Sequence, residues 1–484
     1  MLSETISFDR LWKSLHKASL PARSVASFVR FIERRLGARF VYEASQVPYA
    51  RPDLAAAFKI GDALQRANIL ESYSPIFGFY DEPRGYAWRV QSFGRSQDIS
   101  GGMSATSDED SLMAALAEGL ERYIWKEEVD YFRSPHLASV AAMEQNKNAI
   151  LPGRFVGITK EQRLRDSALT LTTSAEHLWI KGLSLIQNRE IFLPAQVVSG
   201  AYLRSPLLQG KKEQIIRIPI TTGLATWPTK DGAILGGALE VIERDAYMIM
   251  WLNQLTLPRI DLAPFRDKNS GLDKLLADCE RYRLRVHAMR LLTDAPADVV
   301  CVVIEDMTRH APRFSLGLKA HRDIGHCIEG ALLEALRARQ NARGYKKEEM
   351  QLIQKKNVSE IRHMERLPYW MDNARAEKLS FLIKGPVENA LVSSWADDTP
   401  KEHLERIRKW CADKKYEFVS VSLGISKKNP LPWHIEMVVM PDLQPMHQNE
   451  RYQYLDGKRL KSIPEQFGYV PRDEAFSAEP HPFA

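Results

Sequence analysis

Ala115-Leu116-Ala117-Glu118-Gly119-Leu120-Glu121-Arg122-Tyr123 and Ala238-Leu239-Glu240-Val241-Ile242-Glu243-Arg244-Asp245 are two versions of one pattern. Each sets two carboxylates three residues apart with an arginine next. Each follows, some sixteen residues on, a glycine-bearing turn: Ser100-Gly101-Gly102 and Thr221-Thr222-Gly223. At about 3.6 residues per turn, positions i, i+3 and i+4 share a face, so each segment predicts a helix that presents a compact Glu-Glu-Arg cluster. One such helix alone reads as a solvated ion-pair stripe. Two copies embedded among Leu116, Leu120, Leu239, Ile242, Met248 and Ile249 read differently, because buried carboxylates are costly unless paired or metal-bound.

Two such helices facing each other would gather four carboxylates, and like charges that close require a cation. Oxygen ligands suit Mg2+, which leaves room for phosphate oxygens, while arginines fork onto phosphate. A third helix adds Glu334, Arg337 and Arg339. These residues together predict a magnesium–nucleotide site built from helix faces, with Glu118, Glu121, Glu240 and Glu243 on the metal. It stands in place of a P-loop, since the chain has no G-x-x-x-x-G-K-[ST], no G-x-G-x-x-G opening a helix, and no kinase H-R-D or D-F-G set.

Outward from these helices, strand-like and helical segments alternate. HLWIKGLSLI and REIFLPAQVV read as a hairpin around Gln187-Asn188. RLRVHAMRLL, DVVCVVIEDM and RFSLGLKAH read as strands before the third helix. Helix HLERIRKWCADKK precedes strands EFVSVSLGI and HIEMVVMPDL, and the last thirty residues read as loop. The fold class expected is α+β (mixed α/β), with sheets flanked by the helices that carry the acidic motifs. Residues 1–65 are expected to form a helical extension, and 66–484 the catalytic unit.

The 484 residues are 44% hydrophobic and 26% charged, enough for a sizeable core and incompatible with disorder. A net charge of +6 over this length is no nucleic-acid signature. No apolar run approaches a membrane span or a secretory h-region, so a soluble, cytoplasmic protein is expected. Cys279, Cys301, Cys327 and Cys411 have neither zinc-ligand nor disulfide-framework spacing.

From about Ile69 to Ala484 the chain resembles the YcaO family, ATP-using enzymes that activate peptide-bond oxygens. The resemblance rests on four ordered blocks: the helix around Glu118-Gly-Leu-Glu121-Arg122-Tyr123; Thr222-Gly223-Leu224-Ala225 followed by Glu240-Val-Ile-Glu243-Arg244-Asp245-Ala246; Gly330-Ala-Leu-Leu-Glu334-Ala-Leu-Arg337-Ala-Arg339; and HIEMVVMPDLQPM followed by GKRL. It implies that Glu118, Glu121, Arg122, Glu240, Glu243, Arg244, Glu334 and Arg339 hold Mg2+ and the ATP triphosphate. Where the family usually has serine, asparagine and glutamine, this chain has Ala114, Thr222 and Arg337, and Ser111 lies one turn before Ala114.

The resemblance further implies ATP-dependent cyclodehydration of Cys, Ser or Thr in a ribosomally made precursor peptide. It also implies an E1-like, leader-binding partner in trans (the ocin-ThiF type), a flavin-dependent dehydrogenase acting later, and a homodimer. Family members that form azolines often end in Pro-x-Pro-x-Pro; here the end is Pro480-His481-Pro482-Phe483-Ala484. Two prolines favour an extended, low-entropy arm. Such an arm would bring His481, Pro482 and the Ala484 carboxylate to the reacting centre, with His481 or that carboxylate as the base. The alternatives are thioamide or amidine formation on the same fold, or a non-catalytic scaffold.

Overall fold

The computed structural model describes residues 54–484, apart from 77, 80, 95–98, 167–168, 391, 473–475 and 484. The expected extension over 1–65 therefore lies outside the described residues as far as 53. Its remainder is helix α1 (Ala55–Arg66), whose Ala57 and Leu64 share a core with Leu112, Leu116 and Leu120.

Among the described residues three sheets organise the chain. β1 (Leu70–Pro75), β2 (Tyr86–Ser92) and β3 (Ile99–Ser104) form an antiparallel sheet in that order, so β3 is an edge strand. Ser100-Gly101-Gly102, expected as a turn, lies within β3. Glycine is compatible with both states, and pairing with Arg89 and Trp88 decides between them. Helix α2 (Asp108–Glu127) follows, N-capped by Ser107, which accepts from the Asp110 N–H.

β4 (His136–Ser139), β5 (Glu176–Ser184) and β6 (Arg189–Pro194) come next, with β5 and β6 making the expected hairpin. β7 (Leu224–Trp227) enters after Gly223, whose φ of +95° only glycine adopts readily. Helix α3 (Lys230–Asn253) follows, capped by Thr229. The third sheet contains β8 (Arg259–Ile260), β9 (Leu284–Arg290), β10 (Asp298–Asp306), β11 (Phe314–His321) and β12 (Val387–Glu388), in the order β11-β10-β9-β8-β12. Helix α4 (Ile324–Gly344) leaves β11 and is capped by Asp323. After α5 (Pro400–Lys414), β13 (Val419–Ser422) and β14 (His434–Val439) return to the second sheet, in the order β4-β5-β13-β14-β7 with β6 on β5. β7, like β3 and β11, is an edge.

One unit thus occurs three times: an edge strand, a two- or three-residue turn ending in a capping side chain, and a long helix. The units pack as a ring. α2 packs on β3 and β7, α3 on β7 and β11, and α4 on β11 and β3. The closest approaches need glycine, for a Cβ on Gly102 would lie 2.0 Å from the Ser111 carbonyl and one on Gly317 2.1 Å from that of Ala331. α3 is the most enclosed of these three helices; every residue from Ile242 to Asn253 is buried. The C-terminal stretch departs from the expected loop, since Arg459–Gln466 is a helix and His481–Phe483 are buried against α3. All four cysteines are free and buried, and among the described residues no helix is long and apolar enough to cross a membrane.

Candidate active site

An edge strand leaves backbone groups without a strand partner. At the centre of the ring those groups meet the helix carboxylates. Gly101 N–H donates to Glu118 (2.8 Å), Gly223 N–H to Glu240 (2.9 Å) and Leu318 N–H to Glu334 (2.6 Å), each within one strand–helix unit. One turn further along each helix the contact passes to the next unit. Thr226 N–H donates to Glu121 (2.8 Å) and Ala320 N–H to Glu243 (2.6 Å). The third helix closes the circle with a cation: Arg337 donates to the Gly101 carbonyl at 2.6 Å.

Five carboxylates are brought together in this way. Arg122 pairs with Glu118 at 2.6 Å, and Arg337 stands 3.9 Å from it. Arg244 pairs with Glu243 and lies 3.4 Å from Glu240. Among the described residues no hydrogen bond or ion pair engages the second oxygen of Glu121 or of Glu334. Burial, with the charges of Glu118 and Glu240, pushes the Glu121 carboxyl up to about 8. Burial also raises Glu240, against the opposing pull of Arg244. Glu334 is raised by burial and by Glu243, again against Arg244. A set of oxygen donors short of positive charge, two with an oxygen to spare, fits a hard divalent cation.

Arg339 does not join the ring. Five positions beyond Glu334 is about 140° round a helix, and its guanidinium is buried on Glu82 (2.8 and 2.9 Å), Asp306 (2.6 Å) and the Pro312 carbonyl (2.8 Å). Pro480–Phe483 do approach. Trp370 donates to the Pro480 carbonyl at 2.9 Å, His481 bonds the His447 carbonyl at 3.1 Å, and Pro482 is buried beside them. The Phe483 ring lies 4.4 Å from the Arg244 guanidinium. No hydrogen bond joins His481 to the acidic ring among the described residues, and Ala484 lies outside them.

Beneath this arm His447, Glu450 and His481 bring ligand-type atoms within 4.8 Å of one another. They are poorly suited to a metal ion, because Glu450 is already held by Arg366 (2.8 Å) and by His447 (2.8 Å). Reading the sequence missed this cluster, for which His447 and Glu450 three apart were a faint signal. It also missed Phe483, and the backbone donors of Thr226, Leu318 and Ala320, which carry no signature in residue type.

Comparison with known proteins places this geometry. A family model described as YcaO cyclodehydratase, ATP- and Mg2+-binding, matches residues 103–444. The chain belongs to the YcaO family. The YcaO match encloses Glu118, Glu121, Glu240, Glu243 and Glu334, and stops short of His447, Glu450 and the Pro480–Phe483 arm. ATP and Mg2+ are the cofactors of the family. Among solved structures, a heterocyclase in complex with substrate and cofactor is similar with a TM-score of 0.68 and 19% identity, over 88% of this chain and 57% of that one. The chain thus spans little more than half of that heterocyclase. YcaO from Methanopyrus kandleri bound with AMPPCP and Mg2+ is similar at 0.56 and 14%, over 90% and 98%. The heterocyclase TruD is similar at 0.56 and 19%, over 77% and 50%. At these identities the likeness is one of fold. No curated protein matches the sequence.

Proposed function

We propose that this YcaO chain is an ATP-dependent cyclodehydratase that converts Cys, Ser or Thr of a ribosomally made precursor peptide to thiazoline or oxazoline. The observation that carries the reading is the ring: five carboxylates from three helices, each pinned by a backbone N–H of an edge strand or of the residue that enters one, and together short of positive charge. Glu118, Glu121, Glu240, Glu243 and Glu334 would hold Mg2+, and the bound ion would supply charge neutralisation on the triphosphate and on the phosphoryl group in flight. Arg122, Arg244 and Arg337, each already oriented by a ring partner, would face the phosphates.

In this reading the side-chain thiol or hydroxyl adds to the preceding carbonyl carbon. The oxyanion formed takes the γ-phosphoryl group, and phosphate then leaves with the former amide oxygen. The docking of Pro480–Phe483 beside Arg244 supports an arm that shapes the peptide-facing side of the site, with His481 as the proposed base. The peptide would be delivered by an E1-like partner in trans to a cytoplasmic homodimer, with a flavin-dependent dehydrogenase oxidising the ring afterwards. The catalytic unit is taken as 66–484, with α1 packed on it.

The test pairs the purified chain with its precursor peptide and partner. Expected are phosphate release and the loss of one water per modified residue. Exchange of oxygen for sulfur would indicate thioamidation instead, and absence of ATP consumption would indicate a scaffold. Glu121→Gln and Glu243→Gln should each abolish turnover and leave the fold intact, because glutamine can still accept from Thr226 or Ala320 while lacking the charge. Full activity in either would remove that residue from the site.

A further inference from the structure

β9 has an edge that its sheet leaves open. Met307 N–H donates to the Arg283 carbonyl and Leu291 N–H to the Val299 carbonyl, so the odd-numbered residues of β9 are the ones bonded to β10. Leu284 and Val286 therefore direct their backbone N–H and C=O groups to the opposite side. There β8 pairs only through Arg259 and Met289, and the chain then turns at Leu262 into a short helix, Ala263–Arg266. Among the described residues no backbone partner reaches Val286 on that side. Val286 is half-buried, and a cavity of about 470 Å3 opens beside it. One water needs about 10–15 Å3 on this scale, so the space suits several residues of a peptide.

Two chemistries line this cavity. Successive strand residues point to opposite faces. Leu284 and Val286 share one face with Leu262 and Leu276, all in a single apolar cluster. Arg285 takes the other face, and Arg283 stands at the entry to the strand. Both arginines line the cavity and are exposed, with no hydrogen bond or ion pair among the described residues. Glu305, across β10 from Arg285, is occupied by His287 (3.4 Å) and Arg313 (3.5 Å). The third arginine of the cavity, Arg266, is spent on Asp273 and Glu280 at 2.7 Å each. Asp261 accepts from Ala263 N–H at 3.1 Å.

Charges on an edge strand keep like strands away. A second copy of β9 would bring these arginines against their own copies, and like charges opposite one another are destabilising. Residues 1–53 carry more lysine and arginine than acid and suit the edge no better. Two unpaired guanidiniums select the opposite charge. We infer that the open edge of β9 is a docking site for an extended segment of a second polypeptide in which acidic and apolar residues alternate. The segment adds as a strand: its backbone bonds Val286, its apolar side chains enter the cavity beside Leu262 and Leu276, and its carboxylates meet Arg283 and Arg285. The inference does not depend on the nucleotide reading.

The probe is a fluorescein-labelled peptide of glutamate and valine in strict alternation, titrated into the full chain by fluorescence anisotropy. One control peptide has lysine for glutamate, and another has a central proline. The variants are R283E/R285E and V286P, with thermal melts to establish folding. Val286 N–H makes no bond to β10, so proline there removes the edge donor and spares the ladder. Wild type should bind the glutamate–valine peptide about tenfold or more tighter than either control. R283E/R285E should lose about tenfold or more and prefer the lysine peptide, and V286P should lose as much. The proposal is overturned if wild type does not bind, if either control peptide binds as tightly, or if R283E/R285E binds unchanged. A shift in oligomeric state of R283E/R285E by sedimentation, with peptide binding unchanged, would give the edge to a second copy. Should V286P fail to fold, the double variant and the proline peptide decide by the same criteria.

Discussion

Glu121 receives Thr226 N–H on one oxygen, carries a free second oxygen, and has two carboxylates for neighbours. Its carboxyl therefore keeps a proton to about pH 8, and a metal ion must displace that proton. Mg2+ affinity should rise with pH, by up to about tenfold per unit, and level off above about 8. In Glu121→Gln that dependence should flatten, as calorimetric titration across this range would show. The sign for stability is opposite. The folded, cation-free chain holds a proton that the unfolded chain releases near 4.5, so its stability falls as pH rises from about 4.5 to 8. Melts at several pH values should show the fall, and saturating Mg2+ should offset it. The five ring carboxylates were legible because helical periodicity and an apolar setting are local properties. Arg339 was not, since its partner Glu82 lies 257 residues away in sequence and nothing beside Arg339 announces it.

At the scale of elements, the strand–helix units stand or fall with their contact distance. A methyl group on Gly317 would meet the Ala331 carbonyl at 2.1 Å, the Ala335 nitrogen at 2.4 Å and the Glu334 Cβ at 2.9 Å. Gly317→Ala should therefore cost about 3 kcal/mol or more and also weaken Mg2+ binding, because Glu334 is displaced. Urea denaturation and metal titration read the two effects separately. Gly153→Ala, with nothing within 4 Å, is the control and should change neither. The three helices and most strands could be read from apolar periodicity and turn residues. β3 could not be told from a turn, because Gly101 and Gly102 carry no side chain to vote for either, and β2 supplies the decision from outside the segment.

At the scale of the molecule, Pro480–Phe483 close the face of α3 that carries Arg244. Phe483 is 3% exposed and His481 fully buried, so removing residues 480–484 strips a lining from the core. Burial of a phenylalanine side chain alone is worth about 1.5–3 kcal/mol. The truncated chain should melt lower and lose peptide modification more than Mg2+–ATP binding; equal loss of both would make the arm a purely structural strut. Two prolines led to the expectation of a docking arm. Its seat could not be read, because Trp370, Tyr247 and His447, which hold it, come from three separate regions of the chain.

The circular hand-over of hydrogen bonds has a further consequence. The amide protons of Gly101, Gly223, Thr226, Leu318 and Ala320 lie on, or at the entry to, edge strands of three sheets, yet each terminates on an acid that would grip the same ion. Loading should clasp all three sheets at once, so deuterium uptake at these five positions should slow in concert, however far apart they lie along the chain.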